Sequence, residues 1–308
     1  MRIGVDLGGT KIECLLLDDS GSELACRRID CPRGNYEGTL GVVSELVTQI
    51  EREFAVSATV GVAIPGTISP DTGLVRNANS VWLIGHPLQR DLSDRLNRPV
   101  RIANDADCFA ISEATDGAGA GLRSVFGVIL GTGVGAGICW RGVLISGPNA
   151  IAGEWGHNPL PWPDDDERPG PECYCGLKGC IETFLSGPSL RREFQEATGQ
   201  DASPQDINAR AGAGDALAEQ TLRRYEGRLA RALALVINIL DPHVIVLGGG
   251  LSNLGRLYTN VPALWTRWVF SGSVLTRLLP PTHGDSSGVR GAAWLWPLAH
   301  ATSEEYPT

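Results

Sequence analysis

The chain has 308 residues, 43% hydrophobic and 20% charged, the composition of a soluble globular protein long enough for two domains. Its formal charge is −9, from 26 basic against 35 acidic residues, so no general attraction to nucleic acid or an anionic membrane is expected. A local basic pocket for a phosphate is still compatible with that balance. The first residues are too few and too polar for a signal peptide, and the apolar run 233–240 is interrupted by Asn238. A cytoplasmic location is therefore expected.

In chain order, Arg2–Leu7 reads as a buried strand that breaks at Gly8-Gly9-Thr10, and 12–17 as a second strand, making a hairpin. Leu40, Val43, Leu46, Val47, Ile50 and Phe54 give 39–54 helical spacing. A strand at Thr59–Ile64 ends at Pro65-Gly66, and a short strand at 100–103 leads into Asn104-Asp105 and a helix through Glu113. The glycine- and alanine-rich 117–121 reads as a hinge or linker. Strand 125–130, a glycine turn at 131–135 and a strand to Trp140 then echo the first hairpin, which suggests two halves of related design. The loop 159–172 is rich in proline and aspartate, and its run Asp164-Asp165-Asp166-Glu167 reads as solvated surface. Helices follow at 188–198, closed by Gly199, and at 217–240, stopped by Asp241-Pro242. A strand at 243–247 runs into Gly248-Gly249-Gly250, and 291–296 reads as an apolar closing helix. The alternation of strands and helices makes this an α/β protein.

His157, Cys173, Cys175 and Cys180 are spaced H-x15-C-x-C-x4-C. Thiolates and imidazole are tetrahedral zinc ligands, and four of them leave no open position, so the expected metal is structural. Gly176 and Gly179 let the chain turn back on itself. In the reducing setting expected here the other cysteines are thiols, with Cys14, Cys108 and Cys139 in the core. The turn Asp6-Leu7-Gly8-Gly9-Thr10-Lys11 brings backbone N–H groups, a hydroxyl and a charge to a phosphate, and Asp6 suits a hydrated Mg²⁺ ion. Gly131-Thr132-Gly133 offers the same backbone chemistry. Each turn alone is equally well a tight hairpin; together with Gly248, Gly249 and Gly250 they favour a nucleotide held between two lobes. A strand after Gly135 argues against a dinucleotide fingerprint, which must open a helix. Asp105 has two readings, acceptor of a hydroxyl proton or helix N-cap. Glu154 and Glu182 flank the metal spacing, and with His157 they suit sugar hydroxyls. Trp82, Trp155 and Trp162 either stack on a sugar or pack the core.

Asp6-Leu7-Gly8-Gly9-Thr10-Lys11, Pro65-Gly66, Asn104-Asp105, the run 131–157 and Cys175-Gly176-Leu177-Lys178-Gly179-Cys180-Ile181-Glu182 resemble the ROK family of sugar kinases and repressors, over nearly the whole length. A nearer resemblance, to bacterial fructokinases of the manno(fructo)kinase type, rests on Asn77-Ala78-Asn79-Ser80 and the runs 152–162, 173–176 and 284–296. The resemblance implies an actin-like (ribonuclease H-like) ATPase fold with two lobes around a central cleft. The small lobe would be 1–116, joined by a C-terminal helix at 291–308, and the large lobe 117–290, carrying the zinc loop. It implies Asp105 as the catalytic base and Gly66, Asn104, Asp105, Glu154, His157 and Glu182 as sugar contacts. His157 would bind zinc through one nitrogen and a sugar hydroxyl through the other. ATP and Mg²⁺ would meet Asp6, Gly8, Gly9, Thr10, Lys11, Gly131, Thr132, Gly133, Gly248, Gly249 and Gly250. The loop 158–172 is longer than in many glucokinase members of the family.

The expected reaction is in-line transfer from ATP to D-fructose, giving fructose 6-phosphate and ADP. The alternatives are glucokinase, mannokinase or N-acetylhexosamine kinase. A sugar-responsive repressor is a rival of another class, disfavoured because the chain starts at its first strand with no helix-turn-helix before it. A homodimer is expected, with helix 217–240 as a candidate contributor to the interface.

Overall fold

In the computed structural model, which describes residues 1–296, the chain opens on the expected hairpin. β1 (Arg2–Leu7) pairs antiparallel with β2 (Lys11–Leu17), and β3 (Glu23–Asp30) adds antiparallel to the far side of β2. β3 buries only Ala25, so it carries no apolar alternation by which a strand is recognised. α1 (Tyr36–Phe54) starts ahead of its apolar spacing because the Asn35 side chain caps it, accepting from Gly38 N. β4 (Thr59–Ile64), the short pair β5 (Thr67–Ile68) and β6 (Val75–Arg76), α2 (Leu88–Leu96), β7 (Val100–Asn104) and α3 (Asp105–Thr115) follow. β4 lies parallel to β1 and β7 parallel to β4, giving the order β3-β2-β1-β4-β7.

The second sheet repeats this plan. β8 (Ser124–Leu130), β9 (Val134–Trp140) and β10 (Val143–Leu144) form its consecutive strands. α4 (Glu182–Leu185), α5 (Gly187–Thr198), α6 (Pro204–Gly212) and α7 (Ala216–Leu240) lead to β11 (Val244–Gly248), α8 (Leu257–Trp265) and β12 (Arg277–Leu279). The order is β10-β9-β8-β11-β12, with β11 parallel to both β8 and β12. α9 (Ser287–Trp294) closes the described chain.

The chain packs as two compact units. One holds Met1–Arg123, Gly137–Gly153 and 282–296; the other holds Ser124–Ala136 and Glu154–Pro281. The sequence placed the division at 116/117 and kept 117–290 together. Here the chain leaves the first unit after Arg123, and 137–153 returns to it. Gly137 explains the return: it lies so close to α3 that a Cβ would sit 2.5 Å from the Ala106 carbonyl oxygen. Residues 297–308 of the expected helix 291–308 lie outside the described residues.

In the first unit α9 packs directly on the sheet. A Cβ at Gly4 would overlap the Val289 carbonyl, and one at Gly61 the Ala292 carbonyl. Ile3, Val5, Val60 and Val62 fill the core against α1, and Trp82 packs there too, its indole N–H donating to Thr39 Oγ1 at 3.2 Å. In the second unit α7 is the central core helix. Leu222, Tyr225, Leu229, Leu233, Val236 and Ile237 are all buried, so the apolar face offered as a subunit interface faces inward. Trp155 is also a core residue, edge-on to Phe126 at 6.0 Å, while Trp162 is exposed.

The acidic run is only partly solvated. Asp165–Glu167 forms a short 3-10 turn that buries Glu167. Arg228 Nε donates to Glu167 at 2.7 Å and Arg231 at 2.8 Å. Burial pushes this carboxyl up, but Arg231 and Arg228 outweigh it and bring it down to about 2. A buried carboxylate with two guanidinium partners anchors the proline-rich loop onto α7. Among the described residues, no helix is long and apolar enough to cross a membrane.

Candidate functional site

The first unit carries the glycine turn and the proposed base. Gly9 and Thr10 are exposed between β1 and β2, and Arg33 Nε donates to the Gly9 carbonyl at 3.0 Å. The sequence reading missed Arg33, which no motif marks. At the end of β7 the Asn104 side chain caps α3, accepting from Ala106 N at 2.8 Å, and its amide donates to Gly66 O at 3.3 Å. The capping role therefore falls to Asn104. Asp105 is exposed at the first helical position, with Oδ1 accepting from the same Ala106 N–H.

Asp6 sits near Asp105 and Glu13. Burial and then these two carboxylates push Asp6 up to about 7, with Arg28 opposing. A group in that state favours a cation beside it, in keeping with a hydrated Mg²⁺. Its folded value lies above the ordinary carboxylate value of about 4, so the native state holds the extra proton between about pH 4 and 7. The stability this gives is present in acid and is lost as pH rises through about 7. Asp6→Asn is therefore expected to raise the melting temperature of the ligand-free protein at pH 8 and to raise it less at pH 5. Melts at the two pH values check this, and an equal change at both would contradict it.

In the second unit the ligand atoms of His157, Cys173, Cys175 and Cys180 all lie within 4.8 Å of one another. Cys173 Sγ is 3.5 Å from His157 Nδ1, and Cys175 Sγ is 3.7 Å from Cys180 Sγ. Zinc bond lengths in a tetrahedron give roughly 3.6 Å for N···S and 3.8 Å for S···S, so the donor set fits zinc. Gly176 and Gly179 have φ of 90° and 72°, the left-handed turns expected of them. Burial and the neighbouring thiols push the Cys180 thiol up to about 12, so a cation is needed to hold three thiolates together.

Glu182 is at the start of α4, directly after this loop. Its Oε2 accepts from Val134 N at 2.9 Å, and a Cβ on Gly133 would lie 2.6 Å from it. One carboxylate oxygen thus braces the second glycine turn, a role the sequence did not suggest. Gly131 N bonds Gly133 O at 3.0 Å and Gly187 N bonds Gly131 O at 2.8 Å, while Thr132 is exposed. Glu154 is exposed beside the turn that carries His157. Of the third glycine run, Gly248 is a buried strand residue paired with Ile129, whereas Gly249 and Gly250 are exposed. Gly249 has φ 76° and approaches the Leu130 carbonyl so closely that a Cβ would lie 2.5 Å from it. The ring nitrogen assigned to a sugar hydroxyl has another partner here: His157 Nε2 lies 2.9 Å from the Tyr174 hydroxyl. Burial, then the charges of Glu182 and Glu154, push that phenol up to about 12. Tyr174 was readable only as an aromatic between two ligands.

A sequence model of the ROK family matches residues 2–299. The chain belongs to the ROK family. It is 40% identical over 302 residues to the N-acetyl-D-glucosamine kinase of Pasteurella multocida, covering 96% of this chain and 99% of that one. Its fold is similar to that of a ROK hexokinase from Thermus thermophilus, with TM-score 0.85 and 28% identity over 96% and 97% of the two chains. It is also similar to a ROK glucokinase from Streptomyces griseus solved with glucose and AMPPNP, with TM-score 0.75 and 28% identity over 95% and 97%. The fold is the actin-like (ribonuclease H-like) fold of this family, and the protein is an ATP-dependent sugar kinase.

Proposed function

We propose that the protein phosphorylates the 6-hydroxyl of a hexose with ATP. The observation that carries this reading is the exposed Asp105 carboxylate at the start of α3, next to the Asn104 side chain that caps the helix. In the proposed reaction the O6–H proton passes to Asp105, O6 forms its bond to the γ-phosphorus, and the bond to the ADP oxygen breaks. Backbone N–H groups of the first glycine turn and Lys11 would meet the phosphates, and Asp6 would hold Mg²⁺ through water. Asn104, whose amide donates to the Gly66 carbonyl, would orient the sugar beside Asp105. Bound zinc would supply structure alone, fixing His157 and the loop before Glu182.

Two acceptors have support of their own. N-acetyl-D-glucosamine is favoured by the comparisons, since a relative 40% identical over nearly the whole chain carries that activity in its name. Fructose, expected first from the sequence, is supported by the local runs 77–80 and 152–162, and a few contacts can set specificity within one fold. A panel of N-acetyl-D-glucosamine, fructose, glucose and mannose with ATP decides between them. One of the first two is expected to exceed glucose in kcat/KM by roughly tenfold or more. A glucose or mannose preference would remove both readings, and no phosphorylation of any of the four would remove the kinase itself.

A further inference from the structure

We propose that Arg33 is a phosphate-contacting residue of the first glycine turn, its guanidinium reaching oxygens of the phosphoryl group that ATP places there. The proposal rests on the kinase reading above and adds one residue to it. Arg33 lies in the tight turn between β3 and α1, where its own N–H donates to the Cys31 carbonyl at 2.9 Å and Gly34 takes φ 72°. From there the side chain crosses to the glycine turn, and Nε donates to the Gly9 carbonyl at 3.0 Å. The next carbonyl, that of Thr10, accepts from Cys31 N at 2.9 Å. The segment 31–33 thus holds two successive carbonyls of the turn, and Arg33 is fixed at its rim although exposed.

A guanidinium is a planar fork of five N–H donors, and the bond to Gly9 uses only the one on Nε. The two terminal nitrogens bond nothing else among the described residues, and no carboxylate there pairs with them. An arginine that neutralises a carboxylate has its fork filled; this one keeps a full positive charge and four donors at the edge of a backbone turn. Its fork matches the spacing of phosphate oxygens, to which such bonds are short and strong. A second group at the turn also lacks a partner. Ser80 is 0% exposed, its Oγ has no hydrogen-bond partner, and that atom lies 3.6 Å from where a Cβ on Gly9 would stand. Although Ser80 precedes a short 3-10 turn, its hydroxyl does not cap it. A buried hydroxyl without a partner lowers stability, so the turn holds an unmet donor as well as an unneutralised cation. A phosphoryl group brings acceptors and negative charge together and answers both. Lys11 offers only a point charge on a flexible stem, whereas the anchored fork of Arg33 is already oriented when the phosphate arrives.

Arg33→Gln removes the charge, and Arg33→Lys keeps it while losing the fork. Both are compared with wild type at saturating sugar and varied MgATP, using whichever of N-acetyl-D-glucosamine, fructose, glucose and mannose the wild type prefers. The same sugar is titrated calorimetrically without nucleotide. The kcat/KM for ATP is expected to fall about a hundredfold in Arg33→Gln, mostly through kcat, and about tenfold in Arg33→Lys. The sugar Kd without nucleotide is expected to stay within about twofold, and the ligand-free melting temperature within about 2 °C, as for a substitution at an exposed side chain. An unchanged kcat/KM for ATP in Arg33→Gln would overturn the proposal. A rise in sugar Kd that accounts for the lost activity would overturn it too, moving Arg33 to the sugar. So would a large fall in melting temperature in both variants, which would limit Arg33 to tying the two turns together. A wild type that transfers phosphate to none of the four sugars would overturn the kinase reading as well; an active wild type matched by Arg33→Gln would overturn this proposal alone.

Discussion

Asp105→Asn is expected to lower kcat by roughly a hundredfold or more while the sugar still binds with near-normal affinity. The substitution keeps the size of the side chain and the Oδ1 acceptor that meets Ala106 N at 2.8 Å. What it removes is the ability to take the O6 proton. The start of α3 should survive, because Asn104 supplies the cap. Loss of a negative charge in the first helical turn costs only about 0.3–1 kcal/mol, a change of a few degrees at most in a chain of this size. Activity and stability thus separate in one variant. Steady-state kinetics and a thermal melt together make the test. Turnover within a few-fold of wild type would remove Asp105 from the mechanism, and a variant that melts far below wild type would return it to a structural role.

Zinc removal has the second large expected effect. Purified protein is expected to hold about one zinc per chain, and Cys180→Ala to hold none. The loop from His157 to Cys180 is pinned at its inner end by isolated bridges at Pro159–Cys180 and Glu172–Lys178, and at its outer part by the Glu167 anchor. Cys180 is 1% exposed, so an unligated thiol there leaves three crowded sulfurs with no cation between them. Loss of several kcal/mol of metal-linked stability corresponds to a fall of roughly 5–10 °C in melting temperature for a chain of this length. Glu182, directly after the loop, braces the second glycine turn through Val134 N, so activity should fall with the metal. Metal analysis and melts with and without a chelator give the answer. Full zinc and full stability in both Cys175→Ala and Cys180→Ala would show that these sulfurs are not the ligands.

Local chemistry settled much of this protein in advance. The strands β1, β2, β4, β7, β8 and β9 and the helices α1, α3, α5 and α7 were legible because each carries an apolar period or a glycine, proline or aspartate boundary. The grouping of His157, Cys173, Cys175 and Cys180 was legible because those residue types at that spacing have few other uses. Elements whose apolar residues are few or irregular were not. β3 is a polar edge strand, and α2, α6 and α8 are short, each burying only two or three residues or fewer. The sequence alone determined the α/β class, the internal echo of two hairpins and the clustering of one histidine and three cysteines, all of which depend on neighbours in the chain. Only the tertiary structure decided which residue caps α3, that Glu167 is a buried anchor rather than solvated surface, that Glu182 braces a glycine turn and that Tyr174 bonds His157. Each of these depends on groups distant in sequence meeting within hydrogen-bond range, and residue spacing carries no record of such encounters.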